Sequence, residues 1–131
     1  VGLFDFDWSK IDFRCFDVGL ALWYLTHWKD ELNGILRIAE SSHFLETYQA
    51  TLMHLPNLAP LTEFELQHLP VMINLGNLFI LNWTVTDYYA TSADPDEYLQ
   101  YLEHSIKFSS WFMKRGRNFI EEFLLSPQQL K

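Results

Sequence analysis

The chain has 131 residues, 49% hydrophobic and 17% aromatic, with a formal net charge of −8. This length gives one domain, or a large part of one, with a core of its own, and the composition excludes intrinsic disorder. The acidic balance argues against a nucleic-acid partner, because phosphate backbones attract a basic surface.

No apolar run in the sequence approaches the roughly 20 residues of a membrane span, and no secretory signal is visible. Neither a nucleic-acid nor a membrane partner is therefore expected. A single cysteine, Cys15, rules out an internal disulfide framework and suits a reducing, cytoplasmic setting.

The first predicted element is a strand over Val1 to Trp8. Side chains on a strand alternate between faces, so Leu3, Asp5 and Asp7 share one side and Phe4, Phe6 and Trp8 the other. Two neighbouring carboxylates repel each other unless they are solvated or bridged by a hard cation such as Mg²⁺. Spacing alone leaves both options open. A charged loop follows from Ser9 to Phe16. Asp17 then reads as the N-cap of a buried helix through Val18, Leu22 and Leu25, and Trp28 to Gly34 as its end and a turn.

A second helix is predicted from Ser41 or Ser42, with Phe44, Leu45, Tyr48 and Leu52 on one stripe. Pro56 and Pro60 bracket a loop. Thr62-Glu63-Phe64-Glu65 has the pattern of a capping box and opens a third, strongly apolar helical region toward Tyr89. Pro70 inside that region should break or restart the helix. Asp94-Pro95-Asp96-Glu97 gives the next start signal, for a helix carrying Tyr98, Tyr101, Leu102, Ile106 and Phe108. Gly116 should interrupt it, with a short last helix from Asn118 to Leu125 and a polar tail.

The predicted fold class is therefore mainly α: one N-terminal strand (1–8) and a helical subdomain (17–125). A lone strand cannot satisfy its backbone groups. Its expected partner is an upstream segment or a second chain, so a homodimer or other strand pairing through residues 1–7 is expected. Together with the missing initiator Met, this reads as a C-terminal fragment of a longer protein.

Few other chemical signals stand out. The histidines at 27, 43, 54, 68 and 104 form no i, i+4 pair and no cluster with cysteine, and they read as surface or packing residues. Cys15 has no activating base beside it. The chain contains no phosphate-cradling glycine loop and no nucleophile elbow. Lys114-Arg115-Gly116-Arg117 reads as a complement to a helix dipole.

The opening residues do carry a signal. Gly2-Leu3-Phe4-Asp5-Phe6-Asp7, then Asp12, then Phe16-Asp17-Val18-Gly19-Leu20-Ala21, resembles a signature of the aminoglycoside phosphotransferase and choline kinase superfamily. Phe44 to Tyr48, Pro60 to Leu66 and Asp94 to Leu99 are similar to the helical subdomain of its homoserine-kinase-like branch. The resemblance implies the helical C-terminal lobe of a protein-kinase-like fold. It also implies ATP-dependent phosphorylation of an alcohol group on an amino-alcohol, homoserine-like or aminoglycoside acceptor.

The resemblance further implies residue roles. Asp5 would be the aspartate that holds Mg²⁺ on the ATP phosphates, with Asp7 assisting the metal. Asp17 would be a buried aspartate that caps its helix and braces the catalytic loop. Asp12 matches a loop aspartate, although Lys10-Ile11 and Phe13 replace the usual flanking Gly and Pro. The base-bearing H-x-D-x-x-x-x-N segment should precede Val1, so the 131 residues alone should be inactive. Trp23, Asp30, Tyr48 and Asp87 are candidates for acceptor contacts by polarity and place. The alternative is a helical binding or scaffold module without phosphotransfer.

Overall fold

The computed structural model describes residues 13–91 and 95–125. The predicted strand of residues 1–8 lies outside this range, as do the Asp94 cap and the tail. The described part is mainly α-helical. Its elements are α1 (Arg14–Tyr24), α2 (Ile38–His54), α3 (Glu63–Thr91), α4 (Pro95–Trp111) and α5 (Arg117–Phe123). Among the described residues, extended pairing is limited to one antiparallel bridge between Thr26 and Leu36.

The core lies where α1, α3, α4 and α5 meet. Val18, Leu22 and Trp23 of α1 pack with Leu69, Ile73 and Ile80 of α3, Phe108 and Trp111 of α4, and Ile120 of α5. Leu36, and Leu45 of α2, extend the same cluster. α1 and α3 come unusually close at Gly19. A Cβ there would sit 2.6 Å from the backbone carbon of Met72, so only glycine allows this crossing.

Several boundaries differ from the sequence expectation. α1 begins at Arg14, with Phe13 in the cap position and no side-chain cap. Asp17 is therefore not the N-cap; it lies inside the first turn, where its charge favours the positive end of the helix dipole. α2 starts at Ile38, ahead of Ser41, because Ile38 joins the apolar side packed on the core. Ser41 is fully buried within the helix instead of capping it.

The largest correction concerns Pro70, which does not break α3. The helix runs unbroken for 29 residues with Pro70 inside it. Proline removes one backbone hydrogen bond and crowds the preceding turn, at a cost of about 3 kcal/mol. Buried Pro70, beside fully buried Leu69, lies within the surface that α3 packs on its neighbours, and that burial offsets the cost.

The capping box at the start of α3 forms as expected. Thr62 Oγ1 accepts from the Glu65 N–H at 3.2 Å, and Glu65 Oε2 accepts from the Thr62 N–H at 2.7 Å. Pro95 occupies the first position of α4. Gly116 ends a π-helical segment, Phe112–Gly116, which changes the helical pitch between α4 and α5 without opening the chain.

The expected absence of long apolar runs needs revision. Glu63–Asp87 is long and apolar enough to cross a membrane by length and composition. Its Leu69, Ile73, Asn77, Ile80 and Thr84 are buried among the other helices, while the larger share of the stretch is exposed.

Candidate functional site

The structure tests the surroundings of the acidic opening segment more than the segment itself. Asp5, Asp7 and Asp12 lie outside the described residues. Asp17 is exposed on the first turn of α1, flanked by buried Phe16, Val18 and Gly19. The expected buried, capping aspartate is thus a surface carboxylate at the end of α1 that follows residues 1–12. The reason lies in the chain path: α1 starts four residues earlier than expected, so its first turn turns Asp17 outward.

That end of α1 is anchored by charge. Arg14 donates from Nε and Nη2 to the two carboxylate oxygens of Glu65, each at 2.7 Å. It also donates to the carbonyls of Ala59 and Pro60 at 2.6 and 3.1 Å. A fork-to-fork pair of this kind fixes direction as well as distance. The Arg14 guanidinium, aided by the donors of Thr62, holds the Glu65 carboxyl down at about 2. The anchor ties the start of α1 to the start of α3.

Cys15 lies beside this anchor and is chemically quiet. It is buried, its Sγ contacts the Glu65 carbonyl at 3.3 Å, and burial pushes the thiol up, with the Glu65 charge adding to the effect. A thiol so placed stays protonated and is a poor nucleophile.

The four candidate acceptor residues do not form one site. Trp23 is fully buried, and its indole N–H donates to Asn77 Oδ1 at 2.8 Å. It is a structural residue that ties α1 to α3. Tyr48 is half-buried on α2, in a groove with His43 and Phe44. Asp87 is half-buried toward the end of α3. Asp30 is exposed in a tight turn with a positive φ of 62°. It lines an open cleft with Trp28, Glu31, Asn33, Glu103 and Lys107.

A second cavity, of about 270 Å³, is aromatic. Leu20 and Tyr24 of α1, Phe79, Ile80 and Trp83 of α3, and Tyr101 of α4 line it. Burial, together with Tyr101, pushes the Tyr24 phenol up to about 12, so it stays neutral. The cavity can bind through ring faces and hydroxyls, but it holds no acid, base or nucleophile among its lining residues. The sequence places Tyr101 on the helix that follows Asp94 to Glu97, and it brings no other ring of this cavity to it. The convergence of the rings needs the pairing of α1 with α3 and α4, which no local pattern reveals.

Between these cavities lies a buried polar cluster that sequence reasoning also missed. His104 is fully buried, stacked on Trp28 with ring centroids 3.7 Å apart, and edge-on to Trp23. Its Nε2 lies 2.8 Å from Thr26 Oγ1, and its Nδ1 lies 2.6 Å from Asn33 Oδ1. Thr26 spends its hydroxyl hydrogen on the Trp23 carbonyl at 2.7 Å. Burial, with Lys107 adding to it, holds the imidazole at about 4. His104 is a packing histidine, and it joins the turn after α1 to α4.

Among the described residues, no three His, Cys, Asp or Glu side chains gather as metal ligands. Asp5 and Asp7, the expected Mg²⁺ ligands, lie outside the described residues. Comparison of the chain with protein-family models, curated proteins and solved structures finds no match.

Proposed function

We propose that this chain is the helical C-terminal lobe of an ATP-dependent small-molecule kinase. It would belong to the aminoglycoside phosphotransferase and choline kinase superfamily, nearest the homoserine-kinase-like branch. One observation carries the reading. The second half of the signature, Phe16 to Ala21, falls entirely on α1, with Phe16, Val18 and Gly19 buried and Asp17 exposed. The Arg14–Glu65 pair ties the start of α1 to the start of α3.

Mg²⁺ on the ATP β- and γ-phosphates would neutralise charge that develops during phosphoryl transfer. Asp5, with Asp7 beside it, is the residue of this chain that would hold that cation. The exposed Asp17 carboxylate would accept hydrogen bonds from the loop carrying the catalytic base. The acceptor would be an amine-bearing alcohol, because a body of net charge −8 attracts cations and repels anions.

The residues encoded ahead of Val1 test this reading. An H-x-D-x-x-x-x-N segment is expected within roughly 25 residues upstream, supplying the base and a second metal ligand. A preceding segment that lacks both that Asp and that Asn would remove the basis for phosphotransfer.

A further inference from the structure

We draw no further inference here: the strongest candidate, the aromatic cavity that Tyr24, Phe79, Trp83 and Tyr101 line between α1, α3 and α4, has no charged side chain in its lining, and nothing in the structure shows what fills it.

Discussion

Asn77→Leu is a near-isosteric change at the polar centre of the core, and its effect can be worked out from the structure. Asn77 is fully buried on α3. Its Oδ1 accepts from the Trp23 indole at 2.8 Å, and its Nδ2 donates to the Ser109 hydroxyl at 2.9 Å and the Ser105 carbonyl at 3.3 Å. One side chain thus links α1, α3 and α4. Leucine fills the space but leaves the Trp23 N–H buried without an acceptor, a cost of about 1–3 kcal/mol. The Ser105 carbonyl lies in a helix and keeps other partners, and Ser109 is only half-buried, so these two contacts add about 1 kcal/mol at most.

A loss of about 2–3 kcal/mol is therefore expected, a large share of a typical stability of about 5–15 kcal/mol. Urea unfolding followed by tryptophan fluorescence measures it, and the slope should stay constant while the midpoint falls. Trp23→Phe removes the orphaned donor. The double variant should then be more stable than the sum of the two single losses by about 1–2 kcal/mol. A single-variant loss below about 0.5 kcal/mol, or strict additivity, would refute the assignment of this hydrogen bond as a core tie.

Two pH effects follow from buried or paired groups, and they differ in their pH windows. Glu65 sits at about 2 in the folded chain, below its ordinary 4.5. Its contribution is therefore complete above about pH 4.5 and is lost as pH falls toward 2. Glu65→Gln should lower stability at pH 7 by about 1–2 kcal/mol and flatten this part of the profile, as read by chemical unfolding across pH. His104 sits at about 4, below its ordinary 6.5. The unfolded chain takes up the proton first, so stability is full above about pH 6.5 and falls as pH drops toward 4. The His104 ring proton followed by NMR should titrate near 4, and His104→Gln should remove the slope between pH 6.5 and 4.

The helices with local signals were legible in the sequence, and those whose limits depend on distant packing were not. The Thr62–Glu65 capping box and Pro95 at the first position of α4 act through neighbours within one turn, and both appear as read. Pro70 is a local breaker, but the packed surface of α3 outweighs it. Asp17 has a cap residue's chemistry, yet α1 extends past it because Cys15 and Phe16 find core positions. The Arg14–Glu65 pair spans 51 residues and the Thr26–His104 contact 78, so neither has a signature at short range. The division of α3 into a core side and an open side was hidden for a related reason. Both sides of the helix are apolar, and only the three-dimensional packing separates the core side from the open one.

The central claim, phosphoryl transfer supported by Asp5, is tested most directly by activity. The gene product that carries this chain would be assayed for Mg²⁺-dependent transfer of the ATP γ-phosphate to homoserine, a panel of amino alcohols and an aminoglycoside, as wild type and as Asp5→Asn. The account predicts transfer to at least one of these acceptors, and a fall of at least about a hundredfold in Asp5→Asn with the circular-dichroism spectrum unchanged. No transfer to any of them, or equal rates for the two proteins, would contradict it.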